Sequence, residues 1–253
     1  MINVFASEDL LSKNLALLIL EQLKKKRKLI LGCPSGRSLK KTYYYIGRLS
    51  TKLNISLNNL IIIMMDEYAK KNKGKFYLVD PSSHYSCVRF SNNVLKKLLN
   101  YKKTKKNKLQ NKNILFPDIN KPYTFDKKIK KMGGIDIFLL ASGSTDGHVA
   151  FNNKNTKINS KCHIEKLVLK QRIDNMKTFP NFKNIKEVPI YGLTVGLQTI
   201  SSLSKLAILV LTGSEKKYAY KKIISLNKFD KSWPSSIIYM CKNKKIFVDK
   251  KVL

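Results

Sequence analysis

The run Leu60-Ile61-Ile62-Ile63-Met64-Met65 constrains this chain more than any other stretch. Six apolar residues in a row leave no solvated face, so a strand built from them is covered on both sides. Comparable runs recur at Leu29-Ile30-Leu31-Gly32-Cys33, Ile135-Asp136-Ile137-Phe138-Leu139-Leu140 and Leu206-Ala207-Ile208-Leu209-Val210-Leu211-Thr212. Helical patterns separate them. Ser7 is placed to cap a helix with Glu8 and Asp9 in its first turn, where acids suit the dipole. Leu11, Leu15 and Leu18 mark its buried face, and the basic run at residues 24–28 closes it. Further helices are expected over residues 39–49, through Val94-Leu98-Leu99, over residues 125–132, and from Leu197 and Glu215 onward. Buried strands alternating with helices predict an α/β fold: a doubly wound, mostly parallel, Rossmann-like sheet. There is no internal repeat and no linker composition, so residues 1–253 read as one domain.

The ends and connections are less regular. Residues 2–5 suggest a short edge strand. Residues 69–86, rich in Lys, Gly, Pro and Ser, read as a long loop of the kind often used as a lid. Pro117 and Pro122 make residues 113–123 irregular, and residues 153–160 read as loop. Residues 162–169 alternate moderately and read as a strand. Residues 237–240 read as a last strand, with residues 245–248 as its hairpin partner.

With 253 residues, 43% of them hydrophobic, the chain buries a sizeable core. No apolar run approaches the ~20 residues of a membrane span, and no membrane partner is expected. Glu8, Asp9, Lys13 and Asn14 interrupt the first apolar residues, which is not a signal-peptide pattern. Cys33, Cys87, Cys162 and Cys241 are scattered and read as reduced thiols of a cytoplasmic protein. The three histidines and these thiols assemble no zinc motif, so neither metal nor cofactor is expected. The formal charge of +34 invites a nucleic-acid reading. Yet 45 of the 50 basic residues are lysines, and base readout favours the planar fork of arginine. The charge is therefore read as spread over solvated faces, with no specific nucleic-acid partner. A homo-oligomer remains an open option.

Function is sought where strands end, because open α/β sheets bind ligands beyond their carboxyl edges. Four such ends carry polar chemistry. Pro34-Ser35-Gly36-Arg37-Ser38 leads from a strand into a helix and offers backbone N–H groups, hydroxyls and a cation to an anion. Asp66 and Glu67 follow the longest apolar run directly. Asp146-Gly147-His148 follows the run at 135–140 through a small-residue loop, so a carboxylate and an imidazole share one place. Lys216 opens a helix after residues 206–212, where a cation opposes the dipole and so suggests a binding role. Arg172 and Lys177 are further candidates to meet an anion, whereas His84 and His163 read as ordinary polar residues. Together these describe an anion pocket beside acid–base groups, as a phosphorylated small substrate requires.

Gly32-Cys33-Pro34-Ser35-Gly36-Arg37-Ser38, Met65-Asp66-Glu67-Tyr68 and Gly133-Gly134-Ile135-Asp136 form an ordered set with three later segments. Those are Asp146-Gly147-His148-Val149-Ala150-Phe151-Asn152, Tyr191-Gly192-Leu193-Thr194-Val195-Gly196 and Gly213-Ser214-Glu215-Lys216. On them the chain resembles, nearly end to end, the glucosamine-6-phosphate deaminase/isomerase and 6-phosphogluconolactonase superfamily, on its deaminase-like branch. The resemblance implies that Ser35, Gly36, Arg37, Ser38 and Lys216 hold the sugar phosphate. It implies Asp66 as the base at C2, and His148 with its carboxylate partner Asp146 in ring opening. It also marks three departures. Asn153 stands where deaminases carry a glutamate of the His/Asp relay, and Lys177 stands in for a phosphate-binding arginine. The loop Ala141-Ser142-Gly143-Ser144-Thr145 is one residue longer. The implied activity is conversion of glucosamine 6-phosphate to fructose 6-phosphate and ammonia. Alternatives are 6-phosphogluconolactonase and a non-catalytic sugar-phosphate binder.

Overall fold

The computed structural model describes residues 2–253. In chain order its strands and longer helices are β1 (Ile2–Phe5), α1 (Glu8–Lys25), β2 (Leu29–Cys33), α2 (Lys40–Lys52), β3 (Leu60–Met64), β4 (Asp66–Asn72) and β5 (Lys75–Leu78). A helix follows in three pieces, α3 (Cys87–Phe90), a π-turn at Ser91–Leu95 and α4 (Lys96–Leu99). Then come β6 (Ile114–Leu115), α5 (Thr124–Lys131), β7 (Ile137–Ala141), β8 (His163–Lys166), α6 (Leu169–Thr178) and β9 (Tyr191–Thr194). The chain ends with α7 (Leu197–Leu203), β10 (Ala207–Leu211), α8 (Lys217–Ser225) and β11 (Lys244–Asp249).

Seven strands form one sheet in the order β1-β11-β10-β7-β2-β3-β6, and every pairing in it is parallel. The doubly wound sheet expected from the buried runs is present, because period-two geometry sends alternate side chains to opposite faces. Leu29, Leu31 and Cys33 of β2 face a core shared with α1, α2 and the helix through Leu99. Ile30 of the same strand faces a second core made with α5, α7 and α8. Burying each such side chain contributes about 1.5–3 kcal/mol. The Ser7 hydroxyl caps α1 by accepting the Leu10 N–H at 3.2 Å.

A second sheet, β5-β4-β9-β8, is antiparallel and stands at the end of the first. Of residues 69–86, expected to be a long loop, residues 69–78 instead supply its hairpin and residues 79–86 are loop as expected. Lys73 and Gly74, both at positive φ, make the tight turn between β4 and β5. The lysine-rich outer half of this hairpin is solvated, so it carries no strand-like apolar pattern. Residues 237–240, expected as a strand, lie in a 3-10 helix, Pro234–Met240. Pro234 starts that helix, and Ile237 and Ile238 are buried beneath the main sheet, which accounts for the strand-like apolarity. No hairpin follows, because β11 inserts parallel between β10 and β1. Residues 114–115 form a short edge strand within the stretch expected to be irregular. The expected strand at 162–169 is only His163–Lys166, and α6 begins at Leu169. Among the described residues no helix is long and apolar enough to cross a membrane. All four cysteines are free and buried.

Candidate active site

The junction of the two sheets places the first functional carboxylate. β3 ends at Met64, and Asp66 already begins β4, paired with Thr194 of β9. Val195 N–H donates to Met65 O at 2.8 Å, so the backbone is held on both sides of the turn. Asp66 is 6% exposed. Its Oδ1 accepts weak hydrogen bonds from Ser35 Oγ and Cys87 Sγ, each at 3.4 Å. Burial pushes its carboxyl up to about 7, against the hydrogen bond from Cys87 and with the neighbouring Glu67. No cation lies within ion-pair distance of it among the described residues. A carboxylate kept from salt bridges and poised near neutrality suits proton abstraction.

The loop after β7 supplies the second group. His148 Nδ1 lies 2.7 Å from Asp146 Oδ1, and the His148 N–H donates to the same oxygen at 3.2 Å. Burial pushes the Asp146 carboxyl up, but the bonds from His148 outweigh it, so its pKa is lowered. The carboxylate orients the ring and fixes which nitrogen faces it. The dyad fits only because residue 143 is glycine. A Cβ there would stand 2.2 Å from Asp146 Oδ1 and 2.3 Å from His148 Nδ1. Gly143 N–H also donates to His148 O at 2.7 Å and closes the loop.

Cations come from two other strand ends. The β2–α2 turn bends at Gly36, whose φ of 88° favours glycine. That turn presents Ser35, Arg37 and Ser38 to the pocket. Lys216 enters from the start of α8, and its Nζ donates to Ser142 O at 2.6 Å. Burial lowers its pKa, against the nearby Asp174 carboxylate and with the Arg37 charge. Asp174, Asn175 and Thr178 of α6 also line the pocket.

Seven sequence candidates therefore line one cavity: Ser35, Gly36, Arg37, Ser38, Asp66, His148 and Lys216. Asp146 stands behind His148. Three others lie elsewhere. Glu67 is turned into the protein, where Ser86 Oγ and the N–H groups of Cys87 and Val88 donate to it. It holds the start of α3 rather than a ligand. Arg172 is spent on the carbonyls of Ile185 and Val188, which clamps the loop after α6. Lys177 is exposed, and it is Asp174 and Thr178, one turn apart on α6, that face the cavity. Sequence reasoning overlooked Cys87, Gly143, Ser142 and Asp174. A search for cations to hold an anion passes over an acid on the same helix.

No protein-family model matches the chain. Among curated proteins it is similar to the glucosamine-6-phosphate deaminase of Mycoplasma mycoides subsp. mycoides SC. The two are 29% identical over 247 residues, covering 98% of this chain and 93% of that protein. With the glucosamine-6-phosphate deaminase of Dictyostelium discoideum it is 31% identical over 228 residues, or 88% of this chain and 78% of that one. Solved structures agree on the fold. A monomeric glucosamine-6-phosphate deaminase superposes with a TM-score of 0.84 at 24% identity, covering 99% of this chain and 98% of the other. The 6-phosphogluconolactonase of Thermotoga maritima gives 0.67 at 18%, covering 99% of both. With 31% identity over most of its length to a named deaminase, and the ordered motifs gathered around one cavity, the chain belongs to the glucosamine-6-phosphate deaminase family.

Proposed function

We propose that this chain isomerises glucosamine 6-phosphate and releases ammonia, leaving fructose 6-phosphate. One observation carries the reading: a buried carboxyl tuned to about 7 shares a cavity with an Asp-supported imidazole and two cations. The Ser35–Ser38 turn, Arg37 and Lys216 hold the phosphate, where a desolvated ammonium acts more strongly than in water. His148 moves the anomeric hydroxyl proton to the ring oxygen and so opens the ring. Ionised Asp66 takes the C2 proton; the C2–H pair forms a C1=C2 bond, the C1=O π pair moves onto O1, and O1 takes a proton to give an enolamine. Reprotonation at C1 yields an imine at C2. Water hydrolyses it to the ketone, and ammonia leaves. The family names support the substrate, since both relatives are glucosamine-6-phosphate deaminases.

Hydrolysis of 6-phosphogluconolactone needs an activated water and no carbon base, so it leaves Asp66 without a task. Incubation with glucosamine 6-phosphate, with ammonia and fructose 6-phosphate measured together, tests the reading. Equal release of both products is expected. Absence of turnover across pH 6–9, or lactone hydrolysis in its place, overturns it.

A further inference from the structure

The cavity holds one acid that the mechanism above does not use. Asp174 is half-buried in α6 and faces the same space as Asp66 and His148. One of its carboxylate oxygens, one of Asp146 and a ring nitrogen of His148 all lie within 4.8 Å of one another. Asp146 is engaged by His148, and Asp66 by Ser35 and Cys87. The Asp174 carboxylate receives no hydrogen bond and no ion pair among the described residues. Lys216 is the nearby cation, yet its ammonium is directed to Ser142 O. Two carboxylates this close repel, and a cation placed against them relieves the repulsion. The cavity thus carries both signs of charge, with a free negative site beside the imidazole.

Resting on the reading of the previous subsection, we propose that Asp174 selects an aminated sugar phosphate over its neutral counterpart. Its carboxylate accepts a charge-assisted hydrogen bond from the substrate's ammonium. At neutral pH a hexosamine phosphate is a zwitterion, whereas a hexose phosphate with a hydroxyl in place of the amine carries only the negative end. Lys216 and Arg37 read the phosphate that both share. Asp174 reads the amine that only one has.

The test uses 2-amino-2-deoxyglucitol 6-phosphate and glucitol 6-phosphate, which differ in the amine and have no carbonyl to isomerise. Calorimetric affinities are measured for the wild-type chain, Asp174→Asn and Asp174→Glu, with thermal melts confirming the fold. Asp174→Asn is expected to weaken the amino compound about tenfold and to leave the neutral one unchanged. Asp174→Glu retains part of the preference. A wild-type chain with no preference for the amino compound overturns the proposal, as does a variant that weakens both compounds equally or neither. Ammonia release by the wild-type chain is read separately. Its absence overturns the deaminase reading even where the amine preference stands.

Discussion

The main sheet carries a buried aspartate at each rim, and the two are opposites. At the amino rim, Asp136 precedes β7 and is fully partnered. Lys26 Nζ lies 2.6 Å and Lys205 Nζ 3.0 Å from its Oδ1, and Ile30 N–H donates to its Oδ2 at 2.8 Å. Burial pushes its carboxyl up, but these donors outweigh it and hold the pKa below the ordinary value. At the carboxyl rim, Asp66 accepts only from a hydroxyl and a thiol, each at 3.4 Å, and burial pushes it up to about 7. Both are little exposed, at 6% and 7%, but Asp66 lies deeper in the protein, so burial and neighbours together decide the chemistry. Cations make a carboxylate structural, while neutral donors leave it basic.

Asn substitution at each aspartate is the sharpest way to break this contrast. Asp66→Asn is expected to lower kcat by about 10²–10⁴-fold with no loss of melting temperature. A variant keeping a tenth of the activity removes Asp66 as the base. Gly143→Ala comes next. Its Cβ cannot fit beside Asp146 and His148, so the dyad shifts and kcat falls on the order of 10²-fold. Unchanged kcat there shows that the dyad does not act. Asp136→Asn should leave kcat within about twofold while unfolding free energy, read from urea curves, falls about 1–3 kcal/mol. The two lysines are partly exposed, so the larger cost of breaking a fully buried pair does not apply. Loss of activity in a stable Asp136→Asn protein undoes the division of roles. Smallest is Cys87→Ala, which removes a donor that lowers the Asp66 pKa. The acid limb of kcat/KM should move upward in pH, costing roughly threefold below pH 7.

The same pair predicts opposite responses of stability to pH. Between about 4 and 7 the native chain holds a proton on Asp66 that the unfolded chain, with the ordinary value of 3.8, has released. Stability from this group therefore falls as pH rises through that window. Asp136 has a folded value below 3.8. Its contribution is present above the ordinary value and is lost as pH falls through the folded one. Urea midpoints of Asp66→Asn and Asp136→Asn across pH 3–8 should differ from wild type with opposite slopes.

Much of this was legible along the chain. The unbroken apolar strands announced a sheet covered on both faces, and their polar ends announced the rim that carries the pocket. Local signals sufficed there because burial and capping act within a few residues. The hairpin of residues 66–78 was less legible, because its solvated strands lack an apolar pattern and its pairing with β9 spans over a hundred residues. Residues 237–240 misled for the converse reason: the buried Ile237 and Ile238 make a 3-10 turn read as apolar as a strand.

By itself the sequence determined the strand–helix alternation, the parallel sheet and the identity of the groups at its carboxyl edge, since periodicity and turn chemistry are local. Only the tertiary structure decided which of those groups share a cavity. It turned Glu67 inward, spent Arg172 on backbone carbonyls, left Lys177 in solvent and brought Asp174 beside His148. The reason is physical: whether a charge meets a ligand, a counter-ion or water depends on what packs against it from elsewhere in the chain, and spacing along the backbone does not encode that.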